Sequence, residues 1–509
     1  MVAQMSRRNK LESLDESFTE LKAFVIEAAR VGQAEHVVEE KLFRELLRLG
    51  KMLLGEFFSG QGTGDLGETV TLPDGRQVRR LPETRVRPLL TIFGEFALER
   101  AVYGTREGQA IELVPLDARL ELPESKFSYL LQNWDQLLAT EQPYGQVSHI
   151  LQTILGLPQH VDSLERMSRA MSAQAEEFCW SQAPPPPEEE GEILVETADG
   201  KGVPIRHAAD APPIHDHQHR RGPKPDRKRM ATLGAVYSVD RFVRTPEEVL
   251  EALFHQPQAP APESAPARPR PQHKRVYARL DDPADQEDPV HGPAAVFGWL
   301  DQQVRERRAN LPAPVEVVCV MDGGVSLWES IAQWQDDLPR VEILDLLHVT
   351  SRLWQAAHLF HAAGSVAAER FVREHALAIL QGRVTAVIRG LRSRGTRRGL
   401  NAARKRQLEV ICCYYQKNRN RMRYDENLRR GYPIASGVIE GACRHVVKDR
   451  LERTGMSWTL PGAQAMLNLR ALAVSEQWEP FMKYRVEQET HRLYPHRDLL
   501  PMLEWPQAA

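Results

Sequence analysis

Three acidic residues stand where carboxylates could share one site. Asp199 and Asp322 each end a run of strand-forming residues and are followed by glycine, in ETADGKG and VVCVMDGG. Glu440 lies near the start of a predicted helix. Because ligands bind at the carboxyl ends of strands in α/β sheets, we expect the two aspartates to reach a common site.

Gathered carboxylates favour a particular chemistry. They repel one another unless a cation neutralises them, and oxygen-only ligands suit Mg²⁺ or Mn²⁺. Two such ions about 4 Å apart can activate a water or a 3′-hydroxyl and stabilise the leaving oxygen of a phosphodiester. The alternative is structural, since Asp-Gly is a common turn and an early helical Glu favours the helix dipole. Arg444 and Lys448 follow Glu440 by one and two turns and could share its helix face.

The elements around these acids form an α/β pattern. Runs rich in β-formers predict strands at 192–200, 228–243, 315–324 and 341–349, with helices at 294–309 and after Gly324. Residues 350–430 are all helical in pattern. Residues 431–458 begin with turn-forming residues and continue as one predicted helix that contains Glu440.

The N-terminal third is mainly helical. Apolar spacing predicts helices over residues 10–60, and the Asp74-Gly75 pair predicts a β-hairpin in the segment after residue 67. A short helix at about 144–155 ends at Gly156, and a second begins near Val161. This pattern predicts a helix-turn-helix, whose second helix can lie in the major groove, although plain helical hairpins share it.

Charge is segregated along the 509 residues. The net charge of −3 excludes a uniformly basic coat, but arginine and lysine crowd into 389–407 and 417–430 without a nearby acid in the first run. Such runs fit contact with DNA phosphates or, alternatively, a solvated helix face. The candidate phosphate contacts are Arg389, Arg392, Arg397 and Arg398.

Other signals are weaker. The five cysteines include no C-x-x-C pair, which argues against a zinc ribbon or a disulfide framework, and no apolar run predicts a membrane span or signal peptide. His215, His217 and His219 alternate, but their proline- and charge-rich surroundings favour a loop over a metal site. Trp458 is a candidate for stacking on a DNA base and is also a typical core residue.

The sequence resembles the DDE transposases of bacterial insertion sequences, most closely the ISKra-type family. The resemblance covers roughly residues 80–475. The matching stretches are ETADGKGVPIR, KRMATLGAVYSVD, VVCVMDGG, ILDLLHVTSRLW and, most specifically, GYPIASGVIEGACRHVVKDRLERTGMSW.

The resemblance implies a ribonuclease-H-like catalytic core in which Asp199, Asp322 and Glu440 form the catalytic triad and hold two Mg²⁺ or Mn²⁺ ions. It also implies that the element from Asp345 to His348 handles DNA, with Arg352 a further candidate contact. The expected partners are double-stranded element ends and target DNA, bound by a homo-oligomer in the bacterial cytoplasm at the nucleoid.

The fold predicted from pattern and resemblance is an α/β ribonuclease-H-like core with a large helical insertion, after a mainly helical N-terminal region with a helix-turn-helix. The predicted segments are a helical region (1–66), a small β-containing module (67–124), a helix-turn-helix (125–180), a linker (181–192), the first part of the core (193–349, with a low-complexity insertion at 255–290), the helical insertion (350–430), the core helix with the final Glu (431–475) and a tail (476–509).

Two other functions remain open at this point. One is a nuclease or resolvase on the same core that cuts DNA without joining it. The other is a catalytically inactive relative that only binds DNA. A DNA-binding helix pair ahead of the core favours the transposase, because that enzyme must find its own ends, and the intact acids argue against the inactive relative.

Overall fold

The two helical patterns at the start of the chain form two long helices in the computed structural model. The structure describes residues 2–105, 111–206, 228–254, 267–281, 292–453, 455–502 and 505. The histidines His215, His217 and His219 lie outside this described part of the chain. Contacts divide the chain into a first unit, Met1–Ala170 with Glu479–Ala509, and a second unit, Met171–Trp478.

The first unit contains helices and short antiparallel sheets. Its elements up to the boundary are α1 (Val2–Val31), α2 (Glu35–Gln61), β1 (Thr69–Thr71), β2 (Gln77–Arg80), β3 (Arg85–Thr91), β4 (Gly94–Arg100), β5 (Tyr103–Gly104), α3 (Pro115–Arg119), α4 (Tyr129–Glu141) and α5 (Tyr144–Leu155). The predicted hairpin is confirmed, since β1 pairs antiparallel with β2 around Gly75, whose φ is +83°. A left-handed residue at this turn favours glycine, because a Cβ is strained there.

The predicted pair of helices is present at its expected positions. α5 ends at Gly156, which has left-handed backbone angles, and α6 (Val161–Ser181) begins four residues after Leu157. Within the first unit the Tyr144 hydroxyl of α5 donates to Ser168 Oγ of α6 at 2.8 Å, and Ser148 Oγ of α5 donates to the carbonyl of Gln159, in the segment between the helices, at 2.5 Å.

The second unit contains a five-stranded mixed sheet. After α6 its elements are β6 (Ile193–Pro204), β7 (Lys228–Val239), α7 (Pro246–Leu253), β8 (Gln272–Leu280), α8 (Pro293–Asn310), β9 (Glu316–Met321), α9 (Val325–Trp334) and β10 (Arg340–Leu344). The strand order is β10-β9-β6-β7-β8. β6, β7 and β8 pair antiparallel, whereas β9 runs parallel to β6 and β10 runs parallel to β9.

Helices follow the sheet as far as Leu493. They are α10 (Leu346–Phe360), α11 (Val366–Leu380), α12 (Val384–Arg397), α13 (Ala402–Lys417), α14 (Tyr424–Arg429), α15 (Gly437–Ala442), α16 (Asp449–Leu451), α17 (Leu460–Val474) and α18 (Trp478–Leu493). The all-helical prediction for 350–430 is confirmed. The strand predicted to end at 349 ends at Leu344 instead, because Asp345 caps the N-terminus of α10.

The helices from α10 to α14 belong to the same hydrophobic core as the sheet. Buried sheet residues such as Val195 and Val320 share one cluster with Leu353, Phe371 and Ile411 of these helices. Residues 350–430 interrupt the sequence between β10 and α15, but they are not a separate domain. Burial of both surfaces in one apolar cluster makes the sheet and these helices stabilise one another.

The segment predicted as a solvated linker, 181–192, is bound to the second unit. Arg275 donates to the carbonyls of Gln182 and Ala183, and Glu190 forms a two-point ion pair with Arg307. The Glu190 and Arg307 side chains are 2% and 0% exposed. The unit boundary lies instead at Ala170, inside α6, because the second half of that helix packs with the second unit.

No described helix is both long enough and apolar enough to cross a bilayer.

Candidate active site

Asp199 and Asp322 extend from neighbouring parallel strands at the same level. The last paired residues of β6 and β9 are Glu196 and Cys319, and each aspartate follows its strand's residue by three positions. Adjacent strands lie about 4.8 Å apart, so this register brings the two aspartates to one edge of the parallel part of the sheet.

Asp199 lies inside a strand and not at its end, which corrects the sequence prediction. β6 continues to Pro204 with Asp199 opposite Leu233 of β7 and Gly200 opposite Thr232. β6 extends beyond the end of its parallel neighbour β9, because β7 continues to form hydrogen bonds with it there. Asp199 is thereby held on a paired strand, and its Oδ1 accepts a hydrogen bond from the Gly200 amide at 2.7 Å.

Asp322 stands where the sequence predicts it, directly after the buried strand β9. Its Oδ1 accepts from the Gly324 amide, and its carbonyl accepts from the Trp328 indole, both at 2.7 Å. A Cβ at position 323 would collide with the ring of Tyr414, so glycine there allows the tyrosine to pack against this loop. Burial first, and the Asp322 charge second, raise the pKa of Tyr414 to about 12.

Glu440 reaches the site from α15, which leads into a π-helical turn at Cys443–Lys448 and then into α16. The predicted single helix through 458 therefore ends at Leu451. A π turn leaves carbonyls without ordinary α-helical partners, and such turns occur often at functional sites. Here buried Arg470 of α17 donates through Nε to the carbonyl of His445 at 2.7 Å and of Val446 at 3.1 Å.

Side-chain contacts connect the Asp199 strand with the segment that carries Glu440. Cys443 lies one turn after Glu440, and its Sγ donates to Asp199 Oδ2 at 3.5 Å. His348 Nε2 lies 3.8 Å from Glu440 Oε1. Thr197, two residues before Asp199 on β6, is hydrogen-bonded to Ser436 ahead of α15 at 2.7 Å. These contacts place Asp199 and Glu440 on neighbouring parts of one site.

Burial and neighbouring carboxylates raise the pKa of Asp199 and of Glu440. Burial raises the pKa of Asp199 above its usual value, the Gly200 amide opposes this, and the negative charge of Asp322 raises it further. Burial also raises the pKa of Glu440, with added repulsion from Asp345 and Asp199 and opposition from His348. Repulsion of this kind connects Asp199 electrostatically with both other members of the predicted triad.

Asp345 is a fourth carboxylate at the site, and its role is structural. It is buried, its Oδ1 accepts from the Leu347 amide at 2.7 Å, and its Oδ2 accepts from the Ser436 amide at 2.8 Å. Burial raises its pKa, whereas these two amides lower it. With both oxygens engaged, Asp345 fastens the start of α10 to the segment that enters α15, and His348 follows one turn later, beside Glu440.

Among the described residues, no group of three or more His, Cys, Asp or Glu side chains is arranged to hold a metal ion. The donor set still has the chemistry that a hard divalent cation requires, since Asp199, Asp322 and Glu440 offer only oxygen. The hydrogen bonds of Asp199 and Asp322 leave the Asp322 Oδ2 atom without a described partner.

The predicted DNA contacts fall into three groups. Arg389, Arg397, Arg398 and Lys448 are exposed. Arg352 is half-buried, and its guanidinium lies 5.1 Å from the centre of the Tyr414 ring beside the Asp322 loop. Two predicted contacts have acidic partners, because Arg392 pairs with Glu409 at 2.6 Å and Arg444 lies 3.7 Å from Asp449.

The pairing of Arg392 corrects the expectation that this arginine run has no nearby acid. Glu409 lies on α13, which packs against α12, so the acid is near in space although it is 17 positions away in the sequence.

Trp458 is a core residue, which agrees with the second of its two sequence interpretations and corrects the first, stacking on a DNA base. It is 9% exposed, its indole donates to the Leu451 carbonyl at 3.1 Å, and Arg450 lies 4.8 Å from its ring. Its backbone bonds to Pro204 and Arg206 at the end of β6. Trp458 thus closes the end of the Asp199 strand and presents no free face to a ligand.

Sequence reasoning did not single out Tyr414, Cys443 or Arg470 as parts of this site. Cys443 is three residues after Glu440, and that helical spacing could have indicated it. Tyr414 and Arg470 come from distant helices, and no local pattern connects them with the acids. No protein-family model matches the chain, and no curated protein is significantly similar to it.

Proposed function

We propose that the chain is a DDE transposase that cuts DNA at the ends of its own element and joins the 3′-hydroxyls to target DNA. The observation that carries the proposal is geometric. The register of β6 and β9 brings Asp199 and Asp322 to one edge of the sheet, and Cys443, one turn after Glu440, bonds to Asp199. The resemblance to the transposases of insertion sequences supports the same reading.

The sheet supports a ribonuclease-H-like core. Three antiparallel strands come first in the sequence, and two parallel strands join on the other side of β6. This order makes β6 and β9 neighbours, and both members of the predicted aspartate pair come from those two strands. In α/β proteins with an open sheet, ligands bind at the carboxyl ends of the strands, at the place where the strand order reverses.

Two Mg²⁺ or Mn²⁺ ions would be held by Asp199, Asp322 and Glu440. When bound, such ions would activate the attacking oxygen and stabilise the leaving oxygen of the phosphodiester. The protein's own residues position the ligands. The Gly200 amide and Cys443 fix the Asp199 carboxylate, and His348 lies beside Glu440. Because the pKa values of Asp199 and Glu440 are raised, cation binding should release protons and should weaken as the pH falls.

DNA contact is proposed for two surfaces. The exposed arginines of α12 and its C-terminus, Arg389, Arg397 and Arg398, would bind backbone phosphates, which positions DNA without reading its sequence. The pair α5 and α6 would recognise the element's ends in the major groove. A homo-oligomer would bring two ends together, acting in the bacterial cytoplasm at the nucleoid.

Cleavage of DNA that carries the sequences flanking the reading frame tests this proposal. Wild-type protein with Mg²⁺ or Mn²⁺ should nick these fragments and join them to a second DNA, and EDTA should abolish both reactions. Asp199→Asn, Asp322→Asn and Glu440→Gln should each lower the cleavage rate at least about a thousandfold, because each removes a charged ligand. DNA affinity measured in EDTA should change little.

Asp336→Asn is the matched control, because Asp336 is an exposed acid in the same unit and outside the site. It should cleave at the wild-type rate. Full cleavage by any triad variant would remove that residue from the catalytic role. Cleavage without joining would instead identify a nuclease or resolvase, and metal-independent behaviour would overturn the two-ion mechanism.

A further inference from the structure

A cavity of about 900 Å³ lies between α9 and α13, immediately beside the Asp322 loop. Gly323 forms one end of it, where Tyr414 packs across the glycine. The cavity, which we call the α9–α13 slot, therefore begins one residue from a proposed metal ligand. Its volume is within the range of about 300–1,000 Å³ that is typical of ligand pockets.

The walls of the slot are apolar and partly aromatic. Val325 on α9 and Val410 on α13 line it with 58% and 62% of their surface exposed, which is unusual for valines on facing helices. Trp328 and Tyr414 add aromatic surface toward the Asp322 end. Exposed apolar side chains of this kind favour the binding of a flat apolar group that covers them.

The rim of the slot is mainly cationic. Arg406, Lys417 and Arg421 line it, and no ion pair is described for Arg406 or Lys417. The Arg421 guanidinium lies 4.0 Å from the centre of the Trp328 ring, and it pairs with Glu342 at 2.7 Å. Of the two acids in the lining, Glu409 is already paired with Arg392, which leaves Glu329 as the acid without a described ion pair.

We propose that the α9–α13 slot holds one unpaired nucleotide of the DNA strand next to the scissile phosphate. Its base would lie between the valines and Tyr414, and its phosphates would meet Arg406 and Lys417. Aromatic and apolar surfaces bind bases without sequence preference, and a cationic groove follows the backbone. The proximity to the scissile phosphate rests on the proposed function, whereas the binding of an unpaired nucleotide does not.

Cys413 offers a direct test, because it lines the slot and the other four cysteines of the chain are buried. Wild-type protein in EDTA is alkylated with a maleimide, and the rate at Cys413 is followed by mass spectrometry. A single-stranded oligonucleotide of about eight nucleotides should slow alkylation at least fivefold. A blunt duplex of the same length, at equal occupancy, should slow it less than twofold.

A charge-neutral variant separates the slot from the surrounding phosphate contacts. Val325→Asn combined with Val410→Asn should weaken binding of the single strand about tenfold and abolish protection of Cys413. The control is Val366→Asn, which changes a 75% exposed valine on α11, outside the slot. It should leave the affinity for the single strand and the protection of Cys413 at their wild-type values. Thermal unfolding of both proteins checks that they remain folded.

The proposal would be overturned if duplex and single strand protected Cys413 from alkylation equally, or if neither protected it. It would also be overturned if the protection rose with protein concentration alone, because the slot would then bind a second copy of the chain. Because these measurements are made without metal, they are independent of cleavage. Protection of Cys413 in a protein that never cleaves DNA would refute the proposed function and leave the nucleotide slot standing.

Discussion

Two groups of acidic side chains in the second unit lie in opposite electrostatic environments. Glu190 is buried against Arg307, and both of its oxygens accept hydrogen bonds from that guanidinium. Burial would raise the pKa of Glu190, but the bonds and charge of Arg307 outweigh it and lower the pKa. Asp199 and Glu440 have raised pKa values, because burial and neighbouring carboxylates act in the same direction.

This difference in pKa distinguishes Glu190, an acid that stabilises the fold, from Asp199 and Glu440, which are brought together without a compensating cation. A buried charge that serves the fold is stable only when an opposite charge and hydrogen bonds compensate its desolvation. Carboxylates that repel one another contribute no such stability, and their proximity has to be maintained by the fold. The Asp199 site is therefore held together by Thr197, Ser436 and Asp345 around it, and not by attraction among its acids.

The largest effect on stability should come from breaking the buried pair. Arg307→Ala leaves the charge of Glu190 buried without a partner, and we expect the free energy of unfolding to fall by about 3–5 kcal/mol. Denaturant unfolding of the full chain measures this. Arg305→Ala is the control, since Arg305 pairs with Asp301 and Asp337 at the surface and should change the stability by less than about 1 kcal/mol.

If Arg307→Ala lowered the free energy of unfolding no more than Arg305→Ala does, the pair with Arg307 would not be what stabilises Glu190. The distinction between Glu190 and the acids of the candidate site would then be wrong. Replacing Glu190 and Arg307 together by methionine should recover much of the loss, because neither change then leaves a buried charge unpaired.

A smaller effect is expected at Glu196, which is fully buried on β6 and has no cationic hydrogen-bond partner among the described residues. Gln335 donates to it at 2.8 Å, yet burial raises its pKa to about 7 from 4.5. A raised folded-state pKa means that its contribution to stability is full below the unfolded value and is lost as the pH rises toward 7. Glu196→Gln should remove this loss and make the protein about 1–3 kcal/mol more stable than wild type at pH 8.

The difference between the two proteins should shrink as the pH falls and become small below about pH 4, where the wild-type carboxyl is mostly protonated in both states. Glu329→Gln, at an exposed glutamate of α9, should show no such pH dependence. An advantage of Glu196→Gln that is the same at pH 5 and pH 8 would exclude titration of Glu196 as its cause.

The smallest effect distinguishes paired from unpaired cations on α12. Arg389 is exposed with no described ion pair, whereas Arg392 binds Glu409 through two hydrogen bonds. If α12 contacts DNA phosphates, Arg389→Ala should lower the slope of log affinity against log salt concentration by roughly one. Arg392→Ala should lower it less, because its charge is already partly neutralised. Equal slopes for wild type and Arg389→Ala would show that Arg389 is solvated and does not bind phosphate.

Much of the local structure could be predicted from the sequence. The hairpin at Gly75, the break at Gly156, the buried strand before Asp322 and the helical character of 350–430 all follow from turn chemistry and from apolar spacing. These features depend on residues within a few positions of one another. The three acids of the candidate site could also be chosen from the sequence, because acids that follow strand-forming runs or lie early in a helix are recognisable locally. That Asp199 lies within β6 and not at its end could not be predicted, because it depends on pairing with the distant strand β7.

Only the tertiary structure decided how charges and ring faces are paired. The acidic linker is fixed because Arg307, 117 residues away, neutralises Glu190, and Arg392 has an acid beside it because α12 and α13 pack together. Trp458 is buried because the end of β6 extends past β9 and needs a partner there. Composition and periodicity specify what a segment can form, but solvation and Coulomb energies depend on distance in space, which for these residues is set by elements far apart in the chain.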